Sequence, residues 1–190
     1  MGSIINMKKF VITVVIVVIL AASSAFWIPY LPFANNKNVA TDENEAILYL
    51  TPQKGTYKAG DDVSVVFRLS SSDSIISLLT GIKYDPSLIE IKKINKDGSI
   101  FLSWWEEVVD KEAGVIRLQA SLPSPGFKGT DGLIAIIEMR VLKEGELVLT
   151  YDPFSLVLKG DDSNILSLAK SIDGKYSLKS SSSFIFPFFQ

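Results

Sequence analysis

The sequence contains no cysteine and no histidine in 190 residues. Without thiols there is no disulfide framework, no thiolate zinc site and no cysteine nucleophile. Without imidazoles there is no Ser-His-Asp triad, no metalloprotease helix and no general base that ordinarily titrates near neutrality. Charge is modest and nearly balanced, with 19 basic and 21 acidic residues for a net of −2. That leaves no basic footprint for nucleic acid. Only carboxylate chemistry remains, so the composition favours a binding protein over an enzyme, and no cofactor is expected.

Apolar residues make up 47% of the chain and are concentrated at its ends. Lys8 and Lys9 precede an apolar run from Phe10 to Ala22 that is interrupted only by Thr13, followed by Ser23, Ser24 and Ala25. A basic start, an apolar centre and small residues are how a secretory signal is built. The apolar stretch nevertheless continues through Phe26, Trp27 and Ile28. Residues 10–28 are long enough to cross a bilayer core of roughly 30 Å. Trp27 and Tyr30 would then lie at the outer interface. Residues 1–30 therefore read as a signal peptide or a transmembrane anchor, with the membrane contacted through residues 10–28. On either reading the remainder is extracytoplasmic.

Residues 31–46 are mostly polar and aperiodic, which describes a linker. From Ile47 to Leu178 the pattern becomes short apolar runs separated by Gly, Pro and Asp. Val63, Val65, Phe67 and Leu69 alternate with Ser64, Val66 and Arg68, giving the period of a half-buried strand. Leu133, Ala135, Ile137, Met139 and Val141 form one face of a longer strand. Nine or ten such runs without an amphipathic helix predict an all-β antiparallel sandwich. Residues 179–190 form a serine-rich spacer and a phenylalanine-rich tail. Tyr-Asp-Pro occurs at 84–86 and again at 151–153, and both copies read as turns.

Three segments carry a family resemblance. They are Tyr57-Lys58-Ala59-Gly60-Asp61-Asp62-Val63-Ser64-Val65, then Gly81-Ile82-Lys83-Tyr84-Asp85-Pro86-Ser87-Leu88-Ile89-Glu90, then Asp131-Gly132-Leu133-Ile134-Ala135-Ile136-Ile137-Glu138-Met139. In this order the set resembles a cohesin domain, the dockerin-binding module of cellulosome-type assemblies. The resemblance implies a nine-stranded jelly-roll β-sandwich akin to cellulose-binding modules. It also implies a non-catalytic role linked to polysaccharide degradation, in which one flat sheet face grips a dockerin. The strand entering Tyr84-Asp85-Pro86 contributes to that face. Ile82 and Tyr84 are its better core candidates, so Ser77, Leu79, Gly81 and Lys83 are expected to face outward. The best-known cohesins carry an Asn and an Asp near positions 77 and 79, whereas this chain has Ser77 and Leu79.

Other residues have side chains suited to binding or catalysis. Trp104 and Trp105 offer flat apolar faces suited to stacking on polysaccharide, but neighbours on a strand point to opposite sides, so one of the two should be exposed. Glu106 and Glu107 face apart for the same reason and cannot serve as a glycosidase pair. Asp162, Asn164 and Asp173 fall at positions 1, 3 and 12 of a calcium loop. However, Leu166 and Ser167 stand where a ligand and a glycine are needed, so no metal site is expected. Two readings stand beside the dockerin-binding one: a carbohydrate-binding module and a structural domain of the cell envelope.

Overall fold

The computed structural model describes residues 45–181. The expected membrane-competent segment, most of the linker and the phenylalanine-rich tail lie outside them. Among the described residues no helix is long and apolar enough to cross a membrane.

The domain is all-β, with two sheets enclosing one apolar core. One sheet has the order β1-β3-β8-β5, built from β1 (Ala46–Thr51), β3 (Asp62–Ile75), β8 (Phe127–Val141) and β5 (Ile89–Asn95). The other has the order β2-β11-β9-β4-β7-β6. Its strands are β2 (Lys54–Lys58), β11 (Gly174–Lys179), β9 (Gly145–Tyr151), β4 (Ser77–Lys83), β7 (Val115–Ser121) and β6 (Ser103–Asp110). A short β10 (Leu156–Leu158) also pairs with β4.

The described chain thus has eleven strands where nine were expected, and the pairing is not wholly antiparallel, because β2 runs parallel to β11. The apolar run at 154–158 is realised as the short β10, whereas β2 lies outside every apolar run of the sequence. Lys54-Gly55-Thr56-Tyr57-Lys58 has no alternation of large apolar residues to announce a strand.

The period-two pattern on β3 is realised fully. Val65, Phe67 and Leu69 are completely buried, opposite Ile137, Ala135 and Gly132 of β8. On β8 the register skips Ile134, because Phe67 pairs with Ala135 and Arg68 with Leu133. This bulge turns both Ile134 and Ala135 inward and leaves Leu133 half-buried instead of placing it in the core. On the other sheet, Leu78 and Ile82 of β4 pack with Ile116, Leu118 and Ala120 of β7, all fully buried.

The two Tyr-Asp-Pro segments build the same turn. Asp85 accepts a hydrogen bond from the Ser87 amide at 2.8 Å, and Asp152 accepts one from the Phe154 amide at 3.0 Å. In each the tyrosine, Tyr84 or Tyr151, is buried and the aspartate reaches two residues forward, as Asx turns do. The Gly-Asp-Asp pair at 60–62 and 160–162 shows no such likeness. Gly60 has a φ of 95° in the first, whereas Asp162 takes the left-handed conformation at 63° in the second.

Candidate partner-binding face

Strand β4 lies inside its sheet, with β7 on one side and both β9 and β10 on the other. Its inward residues are Leu78, Thr80 and Ile82, all at most 2% exposed. Ser77, Leu79, Gly81 and Lys83 therefore point away from the core, as the alternation requires. Register carries this outer side across the neighbours. Leu79 stands between Leu156 and Gln119, Gly81 beside Arg117, and Lys83 between Thr150 and Val115.

Gly81 is on this side but is not free surface. The segment between β9 and β10 folds down over it, and the Asp152 amide donates to the Gly81 carbonyl at 2.8 Å. Below the sheet surface the Ser155 hydroxyl lies 3.2 Å from that of Thr80 and accepts from the Gly81 amide at 3.4 Å. Above it Lys83 pairs with Asp152 at 3.1 Å. The Phe154 amide, and after it Lys83, hold the Asp152 carboxyl below its ordinary pKa. The segment is thus tied down at three points.

What this segment presents is Phe154, which is 83% exposed. A large aromatic side chain in water on a well-tied turn is unusual, because exposing it forgoes burial of a type worth about 2–3 kcal/mol. Phe154 borders a shallow groove of about 210 Å³ that is also lined by Leu79, Gly81 and Val115, with Arg117 and Asp152 at its edge. Arg117 is steered by Asp110 at 3.8 Å. An apolar floor rimmed by Lys83, Asp152 and Arg117 has the composition of a protein-docking surface.

The tryptophans divide as expected. Trp104 is half-buried, set edge-on to Phe101 with ring centroids 6.3 Å apart, and Lys96 lies 5.2 Å from its ring centre. Trp105 is 72% exposed and donates from Nε1 to the Ser121 hydroxyl at 3.0 Å. A bulge between Trp104 and Glu106 swings it onto the outer face. Glu106 stands opposite outward-facing Gln119, whereas Glu107 stands opposite buried Leu118 and pairs with Lys96. The two carboxylates do not converge.

In the segment with calcium-loop spacing, the Asn164 side chain accepts from the Val157 and Leu166 amides at 3.0 and 3.1 Å. Its oxygen is committed to shaping the loop. Among the described residues no cluster of acidic side chains is suited to a metal ion.

The model of the Cohesin domain matches residues 49–175. The chain belongs to the cohesin family. Solved structures agree on the fold. The match to the Coh-OlpC–Doc435 complex from Clostridium thermocellum has a TM-score of 0.60 at 19% identity, over 72% of this chain and 95% of that one. The Coh-OlpA–Doc918 complex from the same organism gives 0.60 at 20% identity, covering 71% and 99%. A non-cellulosomal cohesin from the archaeon Archaeoglobus fulgidus gives 0.58 at 17% identity, covering 70% and 91%. No curated protein matches the sequence.

Sequence reasoning gave the outward direction of Ser77, Leu79, Gly81 and Lys83 on β4 but did not single out Phe154, which is 83% exposed beside them. A signal was available, since the second Tyr-Asp-Pro is followed at once by a phenylalanine that no alternation buries.

Proposed function

We propose that this cohesin is a non-catalytic binding module that grips a dockerin-type protein through the outer face of β4 and its neighbours. The observation that carries the reading is the apolar row of Leu156 and Leu79 beside fully displayed Phe154, with charge confined to the rim. Hot spots of protein interfaces are of this kind: an aromatic anchor and an apolar floor, ringed by polar groups that exclude water. Ser77 and Leu79 make the floor more apolar than an Asn and an Asp would, so the partner should offer an apolar patch where other dockerins offer hydrogen-bonding groups.

In this reading the domain stands outside the cell, held by residues 10–28 as a membrane anchor or released after their removal. Fractionation of cells with antibody against the domain tests that placement. Calorimetric titration of the full chain against a panel of calcium-loaded dockerins tests the binding. Saturable one-to-one binding by at least one is expected, and no heat from any at high micromolar concentration rejects the dockerin partner.

Trp105 favours a second reading, direct carbohydrate binding, because it is exposed on the same face. Platforms for sugar rings usually set two or three aromatics in one plane, whereas Trp105 on β6 and Phe154 beyond β4 are separated by β7. Titration with soluble cello-oligosaccharides separates the two readings.

A further inference from the structure

The opposite flank of the same sheet carries a different surface. In the parallel pairing of β2 with β11, Lys54 stands directly beside Lys175 and Lys58 beside Lys179, with Thr56 beside Ser177 between them. All four lysines are exposed, and Lys175 shares its face with exposed Val148 of β9. Beneath them the alternate residues Tyr57, Tyr176 and Leu178 turn toward the core, and the two tyrosine rings lie 6.0 Å apart. The pattern is a cationic ladder of two matched lysine pairs with hydroxyls between.

Like charges directly opposite one another weaken a sheet. Lysines on an edge strand are commonly explained as a guard against pairing with another chain. That accounts for Lys54 and Lys58, because β2 is the edge. It does not account for Lys175 and Lys179, because β11 lies between β2 and β9. None of the four makes an ion pair among the described residues. The nearby carboxylates are few or occupied. Glu146 accepts from the Ser177 hydroxyl at 2.9 Å, Asp61 accepts from the Lys58 amide at 2.8 Å, and Asp173 lines an open groove with Lys54 and Lys175.

We infer that this ladder is a second binding surface, for a linear acidic polysaccharide of the polyuronate class. The lysines meet its carboxylates, and Thr56 between them meets its hydroxyls. A membrane surface fits less well, since contact with lipid pairs basic residues with large apolar side chains that enter the headgroup layer. Here the residues between the lysines are hydroxylated. With a net charge of −2 the chain has no general attraction for polyanions, so binding would be local to the ladder.

The test uses the full chain in non-ionic detergent, titrated with polygalacturonate at low salt, with neutral dextran as control. Binding to polygalacturonate alone is expected, falling about tenfold or more between 20 and 200 mM salt as screening shortens. Lys175→Ser with Lys179→Ser should weaken it about tenfold or more, with an unfolding midpoint that does not fall, since the repulsion across the pairs is relieved. Absence of binding by the wild type, or equal binding by this variant, overturns the proposal. In a parallel arm phosphatidylglycerol is mixed into the detergent micelles, and a variant that loses affinity for these micelles alone also overturns the proposal, because it assigns the ladder to lipid. If Lys54→Ser with Lys58→Ser causes aggregation while polygalacturonate binding is unchanged, the ladder is edge protection and the proposal fails.

Discussion

Gly81 and Asp152 lie so close that only hydrogen fits between them: a Cβ on residue 81 would stand 2.8 Å from the Asp152 Cβ. Gly81 is therefore in β4 to let the second Tyr-Asp-Pro turn lie down on the strand, not to free the backbone. The turn, so placed, holds Phe154 over the groove. One missing side chain thus links the packing of two strands to the shape of the binding face.

Gly81→Ala should destabilise the domain by about 1–3 kcal/mol, since the colliding atom is near the Asp152 backbone and cannot swing aside. Urea unfolding should show a lower midpoint at constant slope. An unchanged midpoint would show that the turn shifts at no cost, and the packing argument would be lost.

Thr80 and Ser155 share a buried hydroxyl contact at 3.2 Å, with both residues at most 3% exposed. Ser155→Ala leaves the Thr80 hydroxyl and the Gly81 amide without that partner and should cost about 1–3 kcal/mol. Adding Thr80→Val should cost less than the sum of the single changes. A double-mutant cycle in denaturant measures this coupling, and simple additivity would contradict it.

The β4 face was legible from sequence because burial is read from alternation: Ile82 and Tyr84 must go inward, so Leu79 must go outward. The strand pattern of residues 63–69 and the division of the tryptophans were legible for the same reason. Phe154 was not, because its place depends on β10 pairing with β4 across more than seventy residues, which no local periodicity encodes. Strand β2 escaped because it lies at a sheet edge with glycine and lysines for side chains. The bulge at Ile134 escaped because an apolar run reads the same whichever residue is skipped.

Tyr151 and Tyr176 give the domain an alkaline limit. Burial raises both phenols well above the ordinary value of 10, and their hydroxyls donate to the carbonyls of Ile172 and Pro52 at 3.2 and 2.7 Å. Their folded-state pKa values exceed the unfolded ones, so stability is intact below pH 10 and lost as pH rises beyond it. The loss should approach about 1.4 kcal/mol per pH unit for each tyrosine. Stability measured from pH 9 to 12, with tyrosinate absorbance, should show unfolding and ionisation together. Ionisation of all tyrosines at pH 10 without unfolding would contradict the burial.

Asp152 gives an acid limit of the opposite sign. Its folded pKa lies below the ordinary 3.8, so what it contributes is present above that value and lost as pH falls through the lowered one. The Asp152→Asn variant should show a shallower loss of stability below pH 4 than the wild type. Identical acid profiles would show that the carboxylate does not hold the turn.

Affinity for a dockerin after a charge is placed on each sheet tests the central claim most directly. Leu79→Asp puts a carboxylate in the middle of the proposed docking face, and Ser64→Asp puts one on the outside of the other sheet. Calorimetry with a dockerin that binds the wild type should show Leu79→Asp weakened by about a hundredfold or more and Ser64→Asp unchanged. Equal affinities for Leu79→Asp and the wild type, or a greater loss in Ser64→Asp, would place the partner elsewhere and contradict the account.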